Sequence, residues 1–429
     1  MAGPHKHNKE CKCEQSKPSP WQSEKKYRLA DFFDSHWDEY CKHPTEFIEP
    51  EQYKAVNAIR TCQTAVLGID VYACPECGEI VEKYHTCKNR FCPSCSWRDT
   101  LKWAERQFNK MMNIKHRHAI FTLPHDLHPL VKANKKVIYN ALMRTAADTF
   151  KDWQKHKFGL SCGIISVLHT FGEKKEMHNH AHMIVSWGGI DVNTGELREI
   201  RQEFVKFDFL KDKFRCKFED ELIRLFDEGD LKHKFSGRME FMQFIKHINR
   251  QSWIIHIEPP MNSPEEVIKY IGRYSKRACL SEYKITNIDG EYITFKYKDN
   301  KDRDKNKKAK EKELCLHYTK FFPRLLQHVP LPYFRIVRYY GKYHPKSKIP
   351  QEYLYNGGEN NEQNSELLWS ERQLEETGTN PLFCTTCNCE REYCYTVFDL
   401  RTRKERTKKF DVNKHKHLII NREHLKNAA

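Results

Sequence analysis

Three histidines on two neighbouring segments have the residue type and spacing of a catalytic metal site. His180 and His182 are two positions apart, so on a strand both side chains would point to one face. Such a pair alone is weak evidence, because in a basic protein it fits a solvated surface equally well. His169 lies on the preceding segment, and a hairpin would bring it opposite the pair. Three imidazoles would leave coordination positions open for a substrate, as catalytic sites do. His178 is an alternative third ligand, although its polar surroundings predict a turn.

Two tyrosines four positions apart, Tyr270 and Tyr274, would lie on one face of a helix. The simpler interpretation is a pair of core tyrosines. Cations in the same turns, among them Arg273, Lys276 and Arg277, favour a phosphate-binding surface instead. A tyrosine with an ordinary pKa of about 10 is a poor nucleophile and needs activation. A metal that polarises the phosphate would lower this barrier, so the pattern indicates covalent phosphoryl chemistry.

Two Cys-x-x-Cys knuckles close together in the sequence predict structural zinc. The ligands predicted for one ion are Cys74, Cys77, Cys92 and Cys95. Four thiolates fill a tetrahedral shell and leave no position for a substrate, so the role would be structural. Cys62 and Cys87 lie nearby in the sequence and leave open ligand exchange or a second ion.

A second group of cysteines lies towards the C-terminus. It consists of Cys384, Cys387, Cys389 and Cys394. The spacing is compact for a single ion. The group fits either a second zinc site or reduced thiols in a flexible tail, and both interpretations stay open.

The composition favours an intracellular protein that binds a polyanion. Lys and Arg outnumber Asp and Glu by 74 to 58, which gives a formal charge of +16 over 429 residues. A hydrophobic content of 39% is enough to form a core. The N-terminal residues lack an apolar signal segment, and no run approaches the roughly 20 apolar residues of a membrane span. The 17 cysteines therefore indicate metal binding rather than disulfides.

The elements that would position the histidines are two strands of a sheet. Residues 163–171 and 180–190 are predicted as strands joined by a polar turn. Helical periodicity covers residues 126–157 and most of 203–251, which predicts helices that flank the sheet. The run 299–313 is dense in Lys and Asp and predicts a solvated loop.

Shifts in composition predict four regions. They are a polar arm (1–26), a helical and zinc-binding domain (27–110), a catalytic domain (111–345) and a polar and basic C-terminal region that carries the second cysteine group (346–429).

Together these motifs resemble the two-tyrosine HUH transposases of rolling-circle insertion sequences, the family numbered ninety-one. The similarity covers most of residues 30–345 and fades beyond them. An ordered set of motifs is more specific than any single motif. The chain departs from the family at Asn179, where proline is usual, and this change affects a turn rather than a ligand. The matching stretches are CQTAVLGIDVYACPECG, HTCKNRFCPSC, HAIFTLPHDL, HNHAHMIV, YIGRYSKR and FFPRLLQHVPLPYFRIVRYYG.

The resemblance implies an α+β fold, in which an HUH endonuclease domain with an antiparallel sheet and flanking helices follows a small cysteine-rich zinc-binding domain. The family's metal pair falls on His180 and His182, and its nucleophiles fall on Tyr270 and Tyr274. One tyrosine would attack single-stranded DNA at an element end, giving a 5′-phosphotyrosine and a free 3′-OH, and the second would hold the other strand. The implied cofactors are Mg²⁺ or Mn²⁺ at the HUH site and structural Zn²⁺, although imidazoles in general favour zinc, manganese or nickel.

The partner expected from the resemblance is single-stranded DNA at element ends, with no membrane involved. The candidate DNA contacts are Arg90, Arg273, Lys276 and Arg277, although each also fits a solvated surface charge. The expected location is the bacterial cytoplasm, in association with the nucleoid. The sequence leaves a homo-oligomer open.

Two other classes of protein are alternatives. A non-catalytic, zinc-dependent DNA-binding protein derived from such a transposase would keep the cysteines without needing the histidines. A metal-dependent hydrolase that uses water would not need the tyrosines. The presence of His180, His182, Tyr270 and Tyr274 together favours the transposase.

Overall fold

The computed structural model describes most of the chain between residues 27 and 397. The described ranges are 27–96, 109–201, 207–261, 278–304, 309–355 and 382–397, with a few single positions between them. The helices are α1 (Leu29–Lys42), α2 (Pro50–Arg60), α3 (His128–Ala133), α4 (Lys135–Phe158), α5 (Phe207–Asp227), α6 (Arg238–Asn249) and α7 (Tyr318–Leu326). Among the described helices, none has the length and apolar character needed to cross a membrane.

The strands confirm the α+β class predicted from the sequence. They are β1 (Ile69–Ala73), β2 (Ile80–Tyr84), β3 (His116–Thr122), β4 (Leu160–Ser161), β5 (Gly163–Phe171), β6 (Met177–Ser186), β7 (Gly188–Asp191), β8 (Leu197–Glu199), β9 (Ile254–Ile257), β10 (Ile285–Asp289), β11 (Tyr292–Arg303), β12 (Ala309–His317), β13 (Val337–Gly341) and β14 (Glu392–Thr396). All pairings between named strands are antiparallel in the described residues.

The framework of the molecule is a five-stranded sheet in the order β13-β5-β6-β3-β9. The apolar residues of β6 alternate, so that Ala181, Met183 and Val185 all face one side of this sheet. The helices α4 and α5 cover that side and form one core with it. The opposite side is therefore left for the residues that alternate with this apolar set.

The long helix α4 shows why the chain covers this side of the sheet. Ile138, Leu142, Ala146 and Phe150 recur at every fourth position and are fully buried. The helix ends at Gly159, whose φ of 68° places it in the left-handed region, and its N–H bonds the carbonyls of the last turn. The reversal at this glycine returns the chain directly into β4 and β5.

A second core joins the N-terminal helices to elements from the far end of the predicted catalytic region. Phe33 on α1 stacks on Phe322 of α7, with ring centroids 4.9 Å apart. Phe295 of β11 is buried in the same cluster. Each fully buried phenylalanine contributes roughly 1.5–3 kcal/mol of hydrophobic stabilisation. This core combines residues from both sides of position 110. The predicted domain boundaries at 26/27, 110/111 and 345/346 stay predictions.

The charged run 299–313 differs from the predicted loop. β11 and β12 pair as far as Arg303 and Ala309, so most of the run is hairpin. The charges are matched between strands, since Lys312 lies 2.9 Å from Asp299 and 3.0 Å from Asp302. Opposite charges on facing strands stabilise a hairpin even when both of its faces are polar. The high density of charge in the sequence predicted a loop because it does not show which charges face each other.

His328, in the connection after α7, ties that connection to the β5–β6 turn. Its Nε2–H donates to the carbonyl of Lys175 at 3.0 Å, and its Nδ1 accepts from the hydroxyl of Thr170 at 3.0 Å. Burial lowers the pKa of His328 to about 3. The ring is therefore held neutral in the folded protein.

We expect this histidine to weaken the fold in mild acid. The folded pKa lies below the unfolded value of about 6.5, so the stabilisation is complete above about pH 6.5 and falls as the pH drops. Between about pH 7.5 and 5.5 the group should cost roughly 1.4 kcal/mol of unfolding free energy. The free energy of unfolding, measured by urea titration, should fall between these two pH values by roughly 1.4 kcal/mol less in His328→Gln than in the wild type. The exposed His43→Gln should behave as wild type, and an unchanged slope in His328→Gln would contradict the assignment.

Candidate metal centre

The structure brings His169, His180 and His182 together on the side of the sheet that α4 and α5 leave free. His169 lies opposite His180 in the β5–β6 ladder, as the predicted hairpin requires. One ring nitrogen from each histidine lies within 4.8 Å of the others. The Nε2 atoms of His180 and His182 are 3.0 Å apart. Two ligands at right angles around an ion, with bonds of about 2.1 Å, would be about 3.0 Å apart, so the geometry fits a shared metal.

The tautomer of His180 is fixed by the backbone. Its Nδ1–H donates to the carbonyl of His178 at 2.8 Å, which leaves the lone pair of Nε2 directed at the site. His178 itself lies on β6, which begins at Met177, and not in the turn predicted from its polar neighbours. It contributes its carbonyl, and its ring nitrogens lie outside the three-histidine group.

A chain of hydrogen bonds reaches His182 from the other side. The Nδ1 of His182 lies 2.8 Å from the Nε2 of His118, on the neighbouring strand β3. The Nδ1 of His118 lies 3.3 Å from a carboxylate oxygen of Glu258, just after β9. If each Nδ1–H donates outward along this chain, the Nε2 of His182 keeps its lone pair for a metal.

Burial favours the neutral form of the imidazoles of His180, His182 and His118. It holds the pKa of His180 and of His182 well below the ordinary value, with the neighbouring His169 as the next cause. It also lowers the pKa of His118. The hydrogen bond from His118 lowers the pKa of Glu258, which favours the carboxylate form. Neutral imidazoles are the form that binds metals.

His118 and Glu258 are site residues that the sequence predictions missed. His118 belongs to the stretch HAIFTLP, in which Ala119 and Phe121 face the core. A polar residue that alternates with an apolar set on a strand beside the histidine strand was the available signal. Glu258 follows a short strand and gave no comparable signal.

A small pocket opens beside His169. Arg90, from the cysteine-rich region, and Lys135, at the start of α4, line it together with Cys279. Arg90 was predicted as a DNA contact, and its position brings a cation next to the histidine group. Two basic side chains therefore lie in the lining of the pocket that His169 borders.

The predicted nucleophiles and three of the predicted DNA contacts lie outside the described residues. They are Tyr270, Tyr274, Arg273, Lys276 and Arg277. The roles assigned to them from the sequence stay predictions.

The cysteines form two groups of four and not the single group expected from the knuckle spacing. One group is Cys62, Cys87, Cys92 and Cys95, and the other is Cys74, Cys77, Cys384 and Cys387. Within each group the sulfur atoms lie within 4.8 Å of one another. Cys62 and Cys87, which the sequence offered only as additional ligands, are therefore two of the four members of the first group.

The β1–β2 hairpin explains why the two knuckles cannot share an ion. Cys74 and Cys77 lie at its tip, between the end of β1 and the start of β2. Cys62 and Cys87 flank its base. Five residues of strand span roughly 16 Å, several times the distance across one coordination shell. The cysteines at the base and those at the tip must belong to different groups.

Comparisons with known proteins assign the chain to a class. The family model described as "Transposase zinc-binding domain" matches residues 32–123, and the one described as "Putative transposase" matches residues 163–349. The chain is therefore a transposase, which is a DNA-cleaving enzyme, and it carries a structural zinc module. It belongs to the insertion-sequence family numbered ninety-one, as the order of its motifs predicted.

Curated relatives support this family. The chain is 28% identical over 321 residues to "Putative transposase y4qJ" of Sinorhizobium fredii, covering 73% of this chain and 79% of that protein. It is 29% identical over 298 residues to "Transposase for insertion sequence element IS801" of Pseudomonas savastanoi pv. phaseolicola, covering 68% of this chain and 70% of that protein. No solved structure matches the chain significantly.

The hydrogen bonds from His182 through His118 to Glu258 predict that Glu258 controls metal affinity. Glu258→Ala should weaken Mn²⁺ binding roughly 10- to 100-fold, because His118 loses the acceptor that orients it. Glu258→Gln keeps an oxygen acceptor and should lose less. Binding is measured from the electron paramagnetic resonance signal of free Mn²⁺, with the exposed Glu196→Ala as the matched control. Equal affinity in Glu258→Ala and the wild type would show that the chain of hydrogen bonds does not orient a ligand.

Proposed function

We propose that this transposase cleaves and rejoins single-stranded DNA at the ends of its element through 5′-phosphotyrosine intermediates. The observation that carries the proposal is the group of imidazoles of His169, His180 and His182, which lies on the side of the sheet opposite α4 and α5. A structural site would be expected to close its coordination shell with protein ligands. Three nitrogens leave room for phosphate oxygens.

The two ends of the tyrosine segment support this reaction. Val267, just before the segment, is buried in one cluster with Ile165 and Ile184, which share the histidine side of the sheet. Cys279, just after it, lines the pocket beside His169. In the sequence Tyr270 and Tyr274 follow Val267 by three and seven positions. On the helix predicted from the sequence, that spacing would place both tyrosines on the same face as Val267.

In the proposed cleavage the phenolic oxygen of one tyrosine attacks the phosphorus of a phosphodiester. An O–P bond to the tyrosine forms as the bond to the 3′ oxygen breaks, the phenol loses its proton, and the leaving oxygen gains one. The products are a 5′-phosphotyrosine and a free 3′-OH. A bound divalent cation would polarise the phosphate oxygens and so lower the barrier for a weak nucleophile.

Rejoining reverses these bonds on another strand end. A 3′-OH attacks the phosphotyrosine, and the phenol leaves with a proton. The ester bond to tyrosine conserves the energy of the phosphodiester, so no nucleotide cofactor is needed. A second tyrosine allows two strand ends to be held at once, which is what strand transfer requires. Arg90 and the cations around the tyrosines would bind the backbone phosphates.

Of the two metals expected for the histidine site, the donor set favours Mn²⁺. All three donors are imidazole nitrogens, whereas Mg²⁺ prefers oxygen ligands and retains its water. We also propose that the protein acts at the nucleoid of the bacterial cytoplasm, where its DNA substrate would be exposed as single strands.

The covalent intermediate gives the decisive test. Full-length protein is incubated with Mn²⁺ and a single-stranded element end labelled at its 3′ terminus, and the mixture is run on a denaturing gel. The label should move to the protein band, because the 5′-phosphate side of the cut becomes attached. A Tyr270→Phe, Tyr274→Phe double variant should form no adduct, whereas Tyr333→Phe, at a fully exposed tyrosine, should react as wild type.

The outcomes separate the competing classes of protein. Cleavage that persists without an adduct in the double variant would point to a hydrolase that uses water. If the wild type does not cleave its own element end, the result would support the alternative of a non-catalytic DNA-binding protein. His180→Ala should abolish cleavage and leave DNA affinity within about twofold, since phosphate contacts by cations carry most of the binding.

A further inference from the structure

The second cysteine group joins two parts of the chain that are far apart in sequence. Cys77 and Cys384 are separated by 307 positions, yet their sulfur atoms lie 3.7 Å apart. Cys74 and Cys77 fall within the matched zinc-binding domain, which ends at residue 123, whereas Cys384 and Cys387 lie far outside it. The group is therefore not accounted for by that domain alone.

The two knuckles that meet here have the same backbone geometry. The N–H of Cys74 donates to the carbonyl of Glu79, and the N–H of Gly78 donates to the carbonyl of Cys74, at 2.9 and 3.0 Å. The corresponding bonds in the C-terminal knuckle join Cys384 with Cys389 and Asn388 with Cys384, both at 2.9 Å. Each turn closes through a residue with positive φ, Gly78 at 74° and Asn388 at 56°. The same turn occurs twice and directs two pairs of thiols at one point.

Strand pairing holds the two knuckles in this position. β14 pairs with β1 in antiparallel register, with Val71 opposite Tyr395. The apolar cluster between them is small and consists of the buried residues Ile69, Val71, Ala73 and Cys394. A cluster of this size contributes too little burial to hold a segment by itself, and small modules of this kind usually depend on a metal.

An ion pair beside the thiols also crosses between the two parts. Arg391, only 7% exposed, donates to a carboxylate oxygen of Glu79 at 2.8 Å. The sulfur of Cys384 lies 3.3 Å from the same oxygen. The contacts around the cysteines are thus specific to this pairing of chain segments.

We propose that Cys74, Cys77, Cys384 and Cys387 bind a structural Zn²⁺ that fastens residues 382–397 to the N-terminal zinc module. Four thiolates around one point match the tetrahedral shell of a structural zinc site. The protein would then hold two zinc ions. Cys62, Cys87, Cys92 and Cys95 would bind one, and the other would need cysteines from two distant parts of the chain. The second ion can bind only after the whole catalytic region has been synthesised.

Cys389 is a fifth thiol at the edge of this site. Its sulfur lies 3.4 Å from that of Cys74, but it is not part of the group whose sulfurs are all close together. We assign it to the outer shell. Its removal should therefore leave the ion in place, which distinguishes it from Cys387.

Thiol protection in the wild-type protein tests the site without any substitution. Cys77 is exposed and Cys387 is partly exposed, so protection of these two sulfurs requires a bound metal rather than burial. In the zinc-loaded full-length protein, alkylation followed by mass spectrometry should find both unmodified, while the exposed Cys216 and Cys315 react as internal controls. A chelator should expose Cys77 and Cys387 together, as one ion leaves. Rapid alkylation of either in the loaded protein would overturn the proposal.

Zinc content provides the second measurement. Wild-type protein should hold two zinc ions per chain, and Cys384→Ser with Cys387→Ser should hold one. Cys389→Ser, and the pair Cys216→Ser with Cys315→Ser, should keep both ions. A Cys62→Ser, Cys87→Ser variant should retain the protected pair Cys77 and Cys387. Two ions in Cys384→Ser with Cys387→Ser, or loss of that protection in Cys62→Ser with Cys87→Ser, would contradict two separate sites.

Discussion

The register between β5 and β6 is the constraint on which the candidate metal centre depends. Side chains alternate along a strand, so a slip of one residue would turn the histidines of β6 into the core and its apolar residues outwards. Ala181, Met183 and Val185 are buried against α4 and α5, and this burial fixes the register. The hydrophobic core thus decides where His180 and His182 point, although both imidazoles lie on the opposite side of the sheet from this core.

Burial of the imidazoles imposes a second requirement, because a buried polar group needs a hydrogen-bonding partner. The backbone carbonyl of His178 serves His180, and the chain through His118 to Glu258 serves His182. These outer partners fix the orientation of each ring and keep one lone pair directed inwards. The same contacts that satisfy buried polar atoms therefore also prepare a metal site.

The cysteine-rich part of the molecule depends on a different constraint, the length of the β1–β2 hairpin. Its strands hold the tip and the base too far apart for one ion, so each end needs its own group of thiols. The base finds its partners nearby in the sequence, in Cys92 and Cys95. The cysteines at the tip are grouped with Cys384 and Cys387, and the last described strand, β14, pairs with the first strand, β1.

Local patterns in the sequence determined the strand 163–171 and the grouping of His169 with His180 and His182, because the alternation of side chains along a strand is encoded by neighbouring residues. The family also followed from the order of the motifs. The roles of Tyr270 and Tyr274 stay predictions. Only the tertiary structure separated the two knuckles, showed the charged run to be a hairpin, and recruited His118 and Glu258. Those features depend on which distant segments pack together, and the spacing of residues along the chain does not determine that packing.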